Sequence, residues 1–302
     1  MSASSDSMKS ILFALGANFA IALSKTAGAV FTGSSSMLAE AIHSYADCGN
    51  QAMLIWGLRE AKQPPSADHP LGYGKAIYFW SFIVALMLFS MGGLFSIYEG
   101  VHKLHDTEPV QHAWVAVAIL TFGVVAESIS LWGAVRELNK ERGSKSMWRW
   151  FKESRQSELI VVVGEDIAAL AGLALALGFV LLSMATGNPM WDAIGSIAIG
   201  AMLVLVAFLV GAEVKALLVG QSAEPETLER IRAFLRARPE VAEVYNVLSQ
   251  QLGSDIMLAI KARMAPQGSE TALIEAINRV EAALRQEFGQ VRWIFFEPDL
   301  KD

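Results

Sequence analysis

The sequence predicts a polytopic α-helical membrane protein with six transmembrane helices and a C-terminal α+β domain. Three observations carry this: long charge-free runs, ionisable side chains isolated inside apolar stretches, and a change of composition after Gly220. Of 302 residues, 53% are hydrophobic and 18% charged, against about 25% charged in an ordinary soluble chain. No charge interrupts 76–98, 167–191 or 193–212. Each run reaches the roughly 20 residues that carry a helix across about 30 Å of hydrocarbon. Only helices or closed barrels satisfy the backbone there, and continuous apolar runs lack the alternation of a barrel strand.

The first span is expected over about 11–31, interrupted by Lys25, and follows a short polar start with no evident cleavage site. The second, about 37–58, holds Glu40, His43 and Asp47; the third covers about 76–98. The fourth, about 113–135, contains Glu127, and the fifth, about 159–182, contains Glu165 and Asp166. The sixth covers about 193–214. Between the fourth and fifth lie Arg136, Lys140, Arg142, Lys145, Arg149, Lys152 and Arg155, whereas the turns at 32–36 and 186–189 have no basic residue. Basic loops stay cytoplasmic, which with six spans puts both termini there too. The expected location is an integral membrane one, in a bacterial inner (plasma) membrane.

The transmembrane transport domain is expected over 1–218 and the cytoplasmic domain over 219–302. In the latter, Pro225 opens a helix in the first-turn position proline favours. Strands follow over 241–252 and 255–264 around a Gly253–Ser254 turn. An amphipathic helix over 269–288 puts Leu273, Ile277, Val280 and Leu284 on one face, and 291–296 is rich in strand formers. The order α-β-β-α-β predicts a small ferredoxin-like sandwich. The net charge of −6 is not gathered into a tail or stripe, so nothing points to nucleic acid. One cysteine, Cys48, excludes an internal disulfide and a cysteine zinc cluster.

An ionisable side chain at membrane depth costs roughly 2.5–3.5 kcal/mol on insertion scales, so each is a functional candidate. His43 and Asp47 stand four residues apart, on one helix face. Imidazole nitrogen and carboxylate oxygen together suit a borderline-soft divalent cation such as zinc. Asp166 is placed to add a third ligand from another helix, and the competing reading is that these groups bond only one another and neighbouring helices. Lys25 and Glu40 are expected to offset one another or to face water. Glu127 divides evenly between a proton-path or supporting role and a satisfied structural acid. Asn18 and Asn50 read as helix glue, and Cys48 as a small packing residue off the His43–Asp47 face. His102, His105 and His112, in the loop after the third span, read as a solvated cluster.

The run Gly33-Ser34-Ser35-Ser36-Met37-Leu38-Ala39-Glu40-Ala41-Ile42-His43-Ser44-Tyr45-Ala46-Asp47 closely resembles the second-span signature of the cation diffusion facilitator family. Asp68-His69-Pro70-Leu71-Gly72-Tyr73-Gly74-Lys75 resembles the loop that follows it there. The resemblance extends over the whole chain: six spans, a basic loop after the fourth, and an α-β-β-α-β tail. It implies a homodimer in the bilayer that exchanges cytoplasmic zinc or a related divalent cation for protons, with no permanently bound cofactor.

It further implies that His43 and Asp47 match the second-span ligand pair and that Asp166 matches the last member of a fifth-span pair. Val162 stands where that pair's first ligand would be, leaving three protein ligands that would also carry the coupled protons. Glu165 is an additional candidate, although about 100° around the helix from Asp166. In the loop, His69 and Tyr73 replace two histidines of many relatives, so Asp68 and His69 make at most a weak second site, with a capping or turn role equally available. Lys75 resembles a family lysine in a structural salt bridge, with snorkelling as the alternative. No histidine follows His112, so the C-terminal domain, with only Glu297 and Asp299 as a suggestive acidic pair, is expected to dimerise rather than hold metal.

The sequence thus points to a secondary active transporter, a metal/proton antiporter for zinc first. A carrier preferring Mn2+ or Fe2+, or a non-metal cation carrier, is the alternative. A membrane metallohydrolase is disfavoured because no H-E-x-x-H motif is present. A pure scaffold leaves three ligand-type residues at membrane depth unexplained.

Overall fold

The computed structural model describes residues 19–104 and 112–301. The first part of the expected first span and His105 lie outside them. Helices α1 (Phe19–Thr32), α2 (Ser35–Ala61) and α3 (Ala76–Met87) come first. A π-helical segment Leu88–Leu94 carries α3 directly into α4 (Phe95–Lys103). Then follow α5 (Ala113–Arg142), α6 (Met147–Glu153), α7 (Ser157–Thr186) and α8 (Met190–Val219). The C-terminal part comprises α9 (Pro225–Arg236), β1 (Val241–Leu252), β2 (Asp255–Met264), α10 (Glu270–Glu287) and β3 (Val291–Pro298).

Among the described residues four helices are long and apolar enough to cross a membrane: Ala76–Lys103, Ala113–Gly133, Ser157–Thr186 and Met190–Val219. The protein is an integral membrane protein with a helical domain of this kind. The described part of α1 is a shorter apolar helix. Helix α2 has the length, at 27 residues, but Glu40, His43, Asp47 and Asn50 dilute its apolar character. Phe82, Phe122, Ile129, Trp132, Leu205 and Phe208 are exposed, as side chains facing lipid tails must be. The expected ends of the third and fifth spans fell short, because helices run past the hydrocarbon limits that hydropathy detects. Helix α6, in the basic segment, was not anticipated.

Small residues bring α3–α4 and α8 together. A Cβ on Gly93 would lie 2.6 Å from Val204 Cγ2, one on Gly100 2.7 Å from the Ala193 carbonyl, and one on Gly200 2.6 Å from the Gly93 carbonyl. Apolar tails offer little driving force between helices in lipid, so close backbone approach through small residues supplies the contact. A buried cluster including Met37, Leu88, Leu120, Leu173, Ile199 and Leu203 fills the space between helices.

A buried acid fixes the start of α2. Asp192, 3% exposed in the first turn of α8, accepts from Ser34 Oγ (2.7 Å), from the Ser35 backbone N–H (2.7 Å) and from Ser35 Oγ (2.9 Å). Ser36 Oγ donates to the Asp192 carbonyl at 2.9 Å, and Ser34 Oγ accepts from the Met37 N–H at 3.2 Å. The serine run of the signature thus satisfies the unpaired donors of a helix N-terminus. Sequence reading recognised the serines but not their partner, which lies 157 residues away from Ser35.

The chain divides into two compact units, the first Met1–Trp56, Trp80–Ser146 and Glu158–Glu213. The second comprises Gly57–Phe79, Met147–Ser157 and Val214–Asp302, so it takes in two connecting segments beside the residues after 213. Within it, β1 pairs antiparallel with β2 across a two-residue turn in which Gly253 has φ 67°, and β2 pairs parallel with β3, giving the order β1-β2-β3. Ile231 and Leu235 of α9 and Val280 and Leu284 of α10 pack with Val247, Leu258 and Ile260 in one core. Ser269 caps α10 by accepting from the Ala272 N–H.

The connecting segments are stitched onto this core. A Cβ on Gly74 would fall 2.2 Å from the Leu252 carbonyl oxygen, so the glycine allows direct backbone contact with the β1–β2 turn. The Gly253 N–H donates to Tyr78 Oη at 2.9 Å. Arg155, 8% exposed, donates to the Ser222 and Glu153 carbonyls, each at 2.7 Å.

Candidate functional site

Helices α1, α2, α5 and α7 enclose a cavity of about 100 Å3. Its polar lining is Ser44, Asp47 and Gln51 from α2, Glu127 and Ser130 from α5, and Glu165 and Asp166 from α7, with Ile21 from α1. Ser44, Asp47 and Gln51 follow i, i+3, i+7 spacing, and Val162, Glu165, Asp166 and Ala169 form the corresponding stripe on α7. Glu165 and Asp166 therefore both reach the cavity despite their angular offset, because the stripe is wide enough to hold neighbours. Val162 makes an apolar patch of wall where the family pattern has its first fifth-span ligand.

His43 is 1% exposed, and neither ring nitrogen makes a hydrogen bond among the described residues. Its Nδ1 stands 3.7 Å from Asp47 Oδ1, which is also buried without a hydrogen-bond partner. The π-helical segment passes close by: a Cβ on Gly92 would lie 3.8 Å from His43 Nδ1. Buried polar groups are nearly always satisfied, so an imidazole and a carboxylate left so at membrane depth need an explanation. A cation ligated by both supplies one.

Glu165, 7% exposed, accepts from Asn50 Nδ2 at 2.5 Å. Asn50 thus glues α2 to α7, as expected, and holds Glu165 toward the cavity. Glu127 lines the same cavity. Lys25 Nζ lies 3.2 Å from Glu40 Oε2 and donates to Ser44 Oγ at 2.8 Å, with both charged residues buried. Of the two readings of this pair, mutual compensation is the one observed.

Asp47 and Asp166 thus line one cavity, and His43 stands beside Asp47 but not in its lining. Among the described residues no three His, Cys, Asp or Glu side chains converge closely enough to hold a metal ion.

The loop candidates sit elsewhere. Asp68 and His69 are exposed. The His69 N–H donates to Ser66 Oγ, its carbonyl accepts from the Ser66 and Gly72 N–H groups, and its ring lies 4.3 Å from that of Tyr73. That is a folded turn. Lys75 makes no ion pair among the described residues, so the structural salt bridge suggested by resemblance is not seen here; its Nζ instead lies near Gly220. His102 stacks on Tyr98, and His112, with φ 46°, stacks on Phe31. Asp299 pairs with Lys261 at 3.1 Å.

The cation efflux transmembrane domain matches residues 11–219. The chain is 36% identical over 227 residues to the human "proton-coupled zinc antiporter SLC30A9, mitochondrial", covering 74% of this chain and 40% of that protein. It is 32% identical over 254 residues to "metal tolerance protein C4" of Arabidopsis thaliana, covering 82% and 54%. It is 22% identical over 269 residues to "zinc transporter ZitB" of Escherichia coli, covering 89% and 81%. The chain spans about two fifths of the length of the first of these. The match over most of the membrane part and the signature beginning at Gly33 agree: the chain belongs to the cation efflux, or cation diffusion facilitator, family.

Proposed function

We propose that this chain exports a divalent transition-metal cation, zinc first, in exchange for protons, as a secondary transporter with six membrane spans. The six are α1, α2, α3–α4, α5, α7 and α8, with the ferredoxin-like C-terminal domain and both termini on the cytoplasmic side. The observation that carries the reading is that both ring nitrogens of the buried His43 and the facing Asp47 Oδ1 lack hydrogen bonds among the described residues, beside a carboxylate-lined cavity. The names of the human and E. coli relatives, a zinc antiporter and a zinc transporter, support the cargo.

His43 and Asp47 ride on α2 and Asp166 on α7. Relative movement of these two helices gathers the three ligands around a cation in one state and separates them in the next. Ligation requires neutral imidazole and ionised carboxylates, so loading releases protons. Protonation of the same groups on the outer side weakens the site, lets the cation go and returns protons inward. The C-terminal domain serves dimerisation, and Asp68 and His69 remain a weak second candidate. The membrane is a bacterial inner one.

One observation favours a second cargo reading. Four carboxylates line the cavity, His43 is not among its lining residues, and Val162 removes a ligand. Oxygen-rich sites suit harder cations, so manganese or iron is the alternative. Uptake into proteoliposomes with an imposed pH gradient, across zinc, cadmium, cobalt, iron and manganese, tests both readings. Zinc flux lost in Asp47→Ala supports the first, and flux of manganese or iron alone supports the second. Full zinc flux in Asp47→Ala contradicts the site.

A further inference from the structure

Two exposed tryptophans each hold a cation on the ring. Trp132 of α5 and Trp148 of α6 are 65% and 60% exposed. The Arg136 guanidinium lies 5.6 Å from the Trp132 ring centroid, and Lys152 Nζ lies 5.3 Å from that of Trp148. Both pairs have i, i+4 spacing, so ring and cation share one helix face. Residues 136–155 carry seven lysines and arginines against Glu137, Glu141 and Glu153, in a chain whose net charge is −6.

Both pairs stand where a membrane-crossing helix ends or begins. Trp132 is the last residue but one of the crossing stretch Ala113–Gly133, and Arg136 follows one turn later. Helix α6 ends at Glu153 and α7, itself long and apolar enough to cross, begins at Ser157. A connection of four residues reaches at most about 14 Å. On α6 the buried Trp150 lies about 200° around the helix from Trp148, so it anchors one side while Trp148 and Lys152 stay exposed on the other. Trp148 also stacks on Phe151 at 5.7 Å. Arg149 turns to Glu153 at 2.7 Å and takes no part in the pair.

A large exposed indole suits a membrane interface, where the ring meets acyl chains and the N–H meets headgroups. A cation over a ring face is held by the ring quadrupole, not through its N–H groups. The same side chain can therefore donate to a phosphate oxygen. The excess of positive charge selects the sign of the lipid. An anionic headgroup is attracted by it, whereas a zwitterionic one brings its own cation. A merely solvated basic loop has no need of an exposed indole under its cations.

We propose that Trp132–Arg136 and Trp148–Lys152 are two docking points for anionic phospholipid of the surrounding bilayer. At each, the ring rests at the acyl–headgroup boundary and the cation on a lipid phosphate. The basic segment joins two crossing helices, so both points serve one leaflet. Neither involves the cargo, so this holds or fails independently of the transport reading.

Thermal unfolding of the full chain in detergent tests it, with added phosphatidylglycerol, phosphatidylcholine or inorganic phosphate. Phosphatidylglycerol should raise the wild-type midpoint by about 3 °C, and the other two by much less. Arg136→Gln/Lys152→Gln should lose that increment, whatever its own midpoint, and Lys152→Gln alone should lose about half. Arg136→Lys/Lys152→Arg should keep most of it, whereas Trp132→Leu/Trp148→Leu should reduce it with every charge in place. An equal rise with phosphatidylcholine would mean a lipid effect without regard to charge, and an equal rise with inorganic phosphate a soluble-anion site. Either overturns the proposal. So does a full phosphatidylglycerol increment in Arg136→Gln/Lys152→Gln, or in Lys152→Gln if the double variant is not obtained.

Discussion

His43 Nδ1 lies 3.7 Å from Asp47 Oδ1, one turn along the same helix and too far for a hydrogen bond. The His43 ring nitrogens and Asp47 Oδ1 stop short of bonding each other and bond nothing else among the described residues, so they are poised for a third group. A purely structural pair would close the gap. His43→Ala should therefore weaken zinc binding by at least about tenfold, or 1.4 kcal/mol, while the protein stays monodisperse in detergent. Titration calorimetry reads the affinity, and unchanged zinc affinity would return His43 to a packing role.

Val162 stands on the cavity wall in line with Asp166, four residues on. Val162→Asp adds a carboxylate one turn away on the same face. It should tighten zinc binding by about tenfold or more if a ligand is gained, and slow release, so that net flux falls as affinity rises. Equilibrium binding and flux measured on one preparation check the pair of effects. Weaker binding would mean that this wall does not face the cargo.

Asp192 ties α8 to the start of α2 through Ser34, Ser35 and Ser36. Hydrogen bonds to a charged group contribute about 1.5–3 kcal/mol each, so Asp192→Ala should destabilise by about 2–4 kcal/mol after partial relaxation. Asp192→Asn, which keeps one acceptor oxygen, should lose less. Thermal unfolding in detergent ranks the three proteins, and equal midpoints would show that the latch adds nothing.

The glycines of the helical bundle separate into tight and free positions. A Cβ on Gly200 would collide with the Gly93 carbonyl, whereas one on Gly178 would meet nothing within 4 Å. Gly200→Ala should lower the melting temperature. Gly178→Ala should leave it unchanged or raise it, since alanine is favoured over glycine in a helix by about 0.5–1 kcal/mol. The reverse order would contradict the packing of α8 on α3–α4.

In the C-terminal part, burial raises the Glu240 carboxyl, but a backbone hydrogen bond and the Arg238 and Arg279 guanidiniums outweigh it and hold it below the usual carboxylate range. A lowered folded value means stability that is present above the ordinary carboxylate pKa of about 4.3 and fades as pH falls through the lower folded value. Glu240→Gln should therefore unfold more readily than wild type at neutral pH, with the difference shrinking under acid. Melting curves at pH 7 and pH 3 check the sign.

The apolar runs made α3–α4, α5, α7 and α8 legible, because crossing a bilayer demands length and hydropathy that few other roles impose. The C-terminal order was equally plain: Pro225, the Gly253–Ser254 turn and the leucine-isoleucine-valine face of α10 each act locally. Lys25–Glu40 was readable as an offsetting pair or as two groups facing water, and their burial decides for the pair. Asp192 was not readable, since a lone acid at a helix start looks like a first-turn residue until the fold brings the serines to it. Gly74 against Leu252 was hidden for the same reason: packing between distant segments decides it. Helix α6 was missed because its tryptophans and cations carry no apolar run.

The central claim is that His43, Asp47 and Asp166 carry a divalent cation across the membrane. The most direct measurement is zinc flux into proteoliposomes under an imposed pH gradient, comparing wild type with His43→Ala and Asp166→Ala. The account predicts gradient-dependent zinc flux in the wild type and its loss in both variants. Wild-type flux in either variant would contradict it.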